Sequence, residues 1–275
     1  MHRYTLIFIL LALLSFSPTA SWAQRDNSSS SRSSGEEEQQ DDSSTETPKT
    51  AKALQTSALG NLAAWRHKEA GKELEAARDE FGNTPEFETA WGYLLAEKKK
   101  LDPAIEKLTR AEKKATADPA PSYLLGEIQS WKRNKSAAKK AWTTAKNRAA
   151  AMLKNSPEDA EANYWMGAAL LKLGKISDAG KYLEKARKAD YAPAQTYLQV
   201  GLYYSAQKKW KDAKQAFDSC IEADNGFAHA YYYRARVLDK LGKKSEMLVD
   251  LDRFVKLAPD AREAAAARAL LNNGG

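Results

Sequence analysis

The stretch YWMGAALLKLGKISDAGKYLEKA, residues 164–186, has a helical pattern at both ends, yet it holds glycines at 167, 174 and 180. A glycine inside a helix costs about 1 kcal/mol relative to alanine, so one kept there points to a packing demand. The same demand recurs along the chain. Gly92, Gly126, Gly167 and Gly201 are separated by 34, 41 and 34 residues, the middle interval being one period plus seven. Twelve residues after each glycine stands an alanine: Ala104, Ala138, Ala179, Ala213. Four further on is a large apolar residue (Leu108, Trp142, Leu183, Phe217), and three beyond it a small one (Ala111, Ala145, Ala186, Cys220).

This small–large–small register describes two helices in close contact. Gly167 falls where the first helix meets the second, Leu183 fills the gap between them, and Ala179 and Ala186 flank it. Gly174 ends the first helix, where a left-handed cap is common. Gly180 has no place in the pattern. One period upstream the register reads Ala58, Ala70, Leu74, Ala77; one period downstream it reads Ala235, Met247, Leu251, Phe254, with larger residues at two small positions. Thr84-Pro85-Glu86 and Ser156-Pro157-Glu158-Asp159 each offer an N-cap, a first-turn proline and an early carboxylate, and Asp102-Pro103 does the same for a second helix. The seven extra residues lie in 145–157 and predict a second helix longer by about 10 Å.

A helix-turn-helix unit of 34 residues repeated in this way resembles the tetratricopeptide repeat family. The resemblance covers about 51–261, in units near 51–84, 85–118, 119–159, 160–193, 194–227 and 228–261. It implies an all-α fold, a right-handed superhelical solenoid. Residues 262–272 follow as an amphipathic helix that caps the apolar end of the stack.

Outside the repeats the composition changes. MHRYTLIFILLALLSFSPTASWAQ has a basic start, an apolar run and the small-x-small triplet Ser21-Trp22-Ala23, the parts of a secretory signal peptide over 1–23. The run is short of the roughly 20 residues of a membrane span. This predicts an exported protein, periplasmic in a bacterium or secreted. Residues 24–50 are serine-rich and acidic, with too little apolar surface to fold, and predict a disordered linker. Asn27-Ser28-Ser29 is a glycosylation sequon, which matters only in a eukaryotic setting. The charge is divided: four Lys/Arg and seven Asp/Glu in 1–50, against 39 and 29 in 51–275. The single cysteine, Cys220, permits no intramolecular disulfide and occupies a small-residue position between helices.

No catalytic constellation is legible. His2 lies in the signal, His67 and His229 are 162 residues apart without clustered ligands, and no glycine-rich phosphate loop or serine elbow occurs. The reading is a non-enzymatic protein with no cofactor and no metal.

Two surfaces remain. The resemblance implies a concave groove lined by the first helix of each unit that binds a protein or peptide segment. The positions pointing there are Tyr93, Tyr123, Glu127, Trp131, Tyr164, Leu171, Leu198, Leu202, Tyr232, Arg236 and Asp239, a set rich in the residues that binding hot spots favour. The family's carboxylate-gripping Lys/Asn pairs are replaced by Gln55 and Leu59, Thr89 and Tyr93, and Tyr123 and Glu127, so a carboxylate clamp is not expected. The second surface is the edge formed by the turns inside each unit: Lys98, Lys99, Lys100, Lys132, Arg133, Lys208, Lys209, Lys243 and Lys244. A lysine edge suits an anionic membrane or cell-wall surface; lysine also simply belongs at a helix C-terminus. Nucleic acid is a poor fit to an exported chain.

Overall fold

The computed structural model describes residues 48–274; the expected signal peptide and nearly all of the expected linker lie outside the described residues. Within them the chain is all-helical and runs as successive antiparallel pairs. The first pair is α1 (Ala51–Ala63) with α2 (His67–Ala76), the latter continued by one turn, α3 (Arg78–Phe81). Then follow α4 (Pro85–Glu97) with α5 (Leu101–Lys114), α6 (Ala120–Trp131) with α7 (Lys135–Asn155), and α8 (Ala160–Lys172) with α9 (Ile176–Lys188). The last pairs are α10 (Pro193–Ala206) with α11 (Trp210–Ala223) and α12 (Ala228–Lys240) with α13 (Lys244–Leu257), and α14 (Ala264–Gly274) closes the stack.

The ends of these helices follow from short-range chemistry. Thr50, Thr84, Asn134 and Asp159 each accept a hydrogen bond from the backbone N–H three residues on. The cap of α8 is therefore Asp159 rather than Ser156, and Pro157 stays in the preceding turn. Asp102 is likewise no N-cap: α5 starts at Leu101, and the Asp102 carboxylate accepts from Lys132 of the next pair instead. Helix α7 has 21 residues where α9 has 13, which is the predicted lengthening.

The pairs pack through the register read above. A Cβ on Gly167 would lie 2.6 Å from Leu183 Cγ, closer than two carbons approach, so the helices touch because no side chain separates them. Gly180, which the register left unexplained, is a contact between pairs: the Tyr203 ring of α10 lies directly on it, in the space a Cβ would fill. First helices are the more deeply buried; α8 buries nine of its 13 residues, α9 only three. Each first helix packs on its own second helix, on the preceding second helix and on the next first helix. The first helices thus form the inner layer and the second helices the outer one. One continuous core runs from Leu54 to Val237. A second cluster joins Ala235, Leu251 and Phe254 to Ala264 and Ala267 of α14, so α14 covers the apolar face that the sixth pair would otherwise expose.

Every turn inside a pair has one residue in the left-handed region at the same place: Trp65, Lys99, Arg133, Gly174, Lys208 and Gly242. This marks all six pairs with one backbone register, including the first and sixth, which carry Ala58 and Ala235 where the middle four have glycine.

Candidate functional site

The inner layer is the predicted binding surface. Tyr93, Tyr123, Glu127 and Tyr164 have no exposed surface, and Leu198 and Leu202 are buried with them. These six were expected to line an open groove and instead form its interior. The reason is the close nesting of the first helices, which places each ring against the next pair: Tyr93 meets Trp131 edge-on at 5.9 Å, Tyr123 meets Trp165 at 5.3 Å, and Tyr164 meets Tyr191 at 5.6 Å between centroids. Trp131, Leu171 and Tyr232 are part-buried, and Arg236 and Asp239 are exposed. The accessible part of the predicted set therefore lies at Trp131, at Leu171 and on the sixth pair.

Polar groups in this layer are costly to bury, and the largest is paired. Glu127 accepts from Lys172 Nζ at 2.6 Å and from Trp142 Nε1 at 3.1 Å. Burial pushes the Glu127 carboxyl up and the Lys172 ammonium down to about 8; each pulls the other back. The signal for this triad was present in the repeats. Glu127 stands where the neighbouring pairs carry Tyr93, Ala168 and Leu202, so it is an acid at a position those pairs fill with aromatic or apolar residues, and it needs a partner. Other inner-layer polar atoms have no hydrogen-bond partner among the described residues: Gln55 Oε1, Tyr123 Oη, Trp131 Nε1 and Asn163 Oδ1.

The stack curves far enough for its two ends to meet. The Arg66 guanidinium pairs with Asp224 at 3.1 Å, the Trp65 ring lies 5.4 Å from His229, and Lys52 donates to Glu161 at 2.7 Å. His67, which the sequence sets far from His229, lies against the same indole at 4.3 Å. Burial, with His229 and Lys98 nearby, lowers the His67 imidazole to about 4, against the opposing pull of Asp260 and Glu69. The native protein thus keeps His67 neutral while an unfolded chain protonates it near 6.5. Stability is full above pH 6.5, falls between 6.5 and 4 as only the unfolded state gains the proton, and levels off below 4. Solvent screening at this half-buried ring holds the loss to about 2 kcal/mol. Urea unfolding across this window checks it: the slope present in the native sequence should be absent from His67→Gln.

The predicted basic edge is exposed in all nine residues. Lys132 pairs with Asp102, Lys243 with Glu246 at 2.6 Å, and Lys209 lies 6.0 Å from the Tyr204 ring. Lys98, Lys99, Lys100, Arg133, Lys208 and Lys244 have no carboxylate within bonding distance among the described residues. Their placement is only partly what helix stability favours. Lys99, Arg133 and Lys208 hold left-handed backbone that glycine adopts at no cost. Lys100, Lys175, Lys209 and Lys243 sit as N-caps without a capping hydrogen bond, at the end of a helix that prefers an anion. A basic residue at a helix C-terminus accounts for Lys98, Lys99, Lys132, Arg133 and Lys208, which stand at or directly after the C-caps of α4, α6 and α10; it does not account for Lys100, Lys209 and Lys243.

On the outer layer, Arg148 of the lengthened α7 donates to the carbonyls of Glu112, Ala115 and Asp118 at 2.7–2.9 Å, tying down the end of α5. An open cleft of about 390 Å³ lies beside it, lined by Thr116, Thr144, Asn147 and Met152; none of the predicted residues lies there. Cys220 is buried, and burial pushes its thiol well above the usual range. Among the described residues no cluster has the makings of a metal site, and no helix is long and apolar enough to cross a membrane.

The geometry defines a class: a solenoid of helical hairpins with an aromatic inner layer and a capping helix. Its unit is similar to the tetratricopeptide repeat, whose family model matches residues 229–261 within the sixth pair and the turn after it. Among solved structures it is similar to TTC0263, a thermophilic TPR protein in Thermus thermophilus, at TM-score 0.54 and 17% identity over 70% of this chain and 98% of that one. It is also similar to a chain of the APC/C hetero-tetramer Cut9–Hcn1, at TM-score 0.50 and 15% identity over 82% of this chain and 43% of that one. YrrB, a TPR protein with an unusual peptide-binding site, aligns at TM-score 0.40 and 21% identity over 71% and 97%. No curated protein matches the sequence significantly.

Proposed function

We propose that this protein is a non-enzymatic scaffold that binds a segment of a partner protein along its inner layer, outside the cytoplasm, in the assembly of an envelope complex. The observation that carries the reading is the accessible set of Trp131, Tyr232, Arg236 and Asp239 on first helices. The part-buried rings of Trp131 and Tyr232 supply contact area, and the exposed Arg236 and Asp239 supply polar groups for a peptide segment. Residues 1–23 support the location by their signal-peptide pattern. The way in is at Trp131, Tyr232 and Arg236, where the layer is accessible.

A second reading has its own observation. Three basic residues held in left-handed backbone, with basic N-caps beside them, form an edge retained against local stability. Such an edge suits an anionic lipid or cell-wall surface.

One experiment separates the two. A photo-crosslinking probe is placed in the native envelope at Tyr232, with further probes at Lys208 on the edge and at Val249, which is 69% exposed on outer helix α13. One defined protein captured from Tyr232 and not from Val249 is the expected result. Lipid or wall material captured only from Lys208, and lost in high salt, would replace the scaffold reading with the edge reading. Equal capture from Tyr232 and Val249 would remove the inner layer as the working surface.

A further inference from the structure

Arg262 precedes the capping helix and reaches back over the inner layer. Its guanidinium lies 3.5 Å from the centroid of the Trp131 ring, which belongs to the third pair. The same ring is met edge-on by Tyr93. Glu97 is part-buried one turn on from Tyr93 on α4; burial raises its carboxyl, and the charge of Arg262 is the first of the influences that pull it back. An aromatic face below and a phenol and a carboxylate at the side are the parts of a cation site. A flat guanidinium, rather than a compact ammonium, is the cation that stacks on such a face.

Arg262 is loosely held for such a site. It is exposed, and it makes no ion pair within 4 Å among the described residues. The cap it belongs to is anchored elsewhere, through Ala264 and Ala267 on Phe254 and Leu251, and by Arg268 donating to the Pro259 carbonyl at 2.7 Å. Withdrawing Arg262 therefore leaves the cap seated. Trp131 is also one of the few accessible inner-layer rings, and its Nε1 has no hydrogen-bond partner among the described residues.

We infer that Trp131, Tyr93 and Glu97 form an arginine site at the mouth of the inner layer, filled in this structure by the chain's own Arg262, and that an arginine of the bound segment takes it in exchange. The exchange rests on the inner layer being the partner surface; the site itself does not.

The test uses the full chain with Arg262→Ala and the probe N-acetyl-arginine amide, followed by the Trp131 indole N–H resonance and assigned with Trp131→Phe. Expected is a saturable shift in Arg262→Ala, weakened at least tenfold in the native sequence, where Arg262 competes, and at least tenfold in Arg262→Ala/Glu97→Gln. N-acetyl-lysine amide should bind at least tenfold more weakly. No saturable shift in Arg262→Ala, or equal response to the two probes, overturns the site. Probe binding in Arg262→Ala without protein capture from Tyr232 would leave the site standing and remove the exchange. Capture without probe binding would remove the site and leave the inner layer as the partner surface.

Discussion

Gly167→Leu is expected to destabilise the inner layer strongly. The new Cβ alone would stand 2.6 Å from Leu183 Cγ and 3.2 Å from the Leu183 backbone nitrogen, so α8 and α9 must separate. Overpacking of this kind costs about 1–3 kcal/mol where a core can adjust. Here the loss should be at the top of that range or above it, because a backbone atom stands behind the side chain. Urea unfolding measures it. Shrinking the opposing residue should return part of the loss, so Gly167→Leu/Leu183→Ala should be less unstable than the sum of its single changes. Strict additivity would mean that the two residues do not meet. Gly180→Leu makes a useful contrast. It meets the far end of Tyr203, a part-buried side chain rather than backbone, and should cost less.

Lys172→Met is the second large effect, by a different mechanism. It leaves Glu127 with Trp142 Nε1 as its sole remaining donor from the triad, in a layer where the carboxylate side chain has no exposed surface. Removing one partner of a buried ion pair costs about 3–5 kcal/mol, because the other charge is left uncompensated. The pair itself contributes far less, since the two desolvation penalties offset most of the attraction. Glu127→Gln/Lys172→Met should therefore be markedly more stable than Lys172→Met alone. A loss in Lys172→Met no greater than in Lys99→Met, on the exposed edge, would show that Glu127 reaches water.

Much of this was legible from residue types and spacing, for a physical reason visible in the first of these predictions. Gly167 and Leu183 are close in the chain, and a helical hairpin brings residues at that separation together whatever lies beyond it. The same applies to Gly174, whose positive φ of 75° was expected from its place at a helix end. The helix starts at Asp159 and Leu101 were misjudged by a few residues, because proline and acidic residues suit both the last turn residue and the first helical one.

The candidate surface was legible by position but not by exposure. Tyr93, Tyr123 and Tyr164 were placed on the inner layer by register, and they are there. Whether such rings face a groove or each other depends on how far each pair is rotated against the last. That rotation is set by contacts such as Tyr203 on Gly180, which lie between units and outside the repeating pattern.

The sequence by itself determined the unit, its recurrence along the chain, the longer α7 and the inner and outer helices, since each is written within one or two hairpins. Only the tertiary structure decided what meets across the stack: Arg66 with Asp224, Trp65 with His229, and Arg262 on Trp131. Arg66 and Asp224 are 158 positions apart, and their contact is the sum of small rotations over several pairs. No local propensity encodes such a sum, because a few degrees at each junction separate ends that touch from ends that do not.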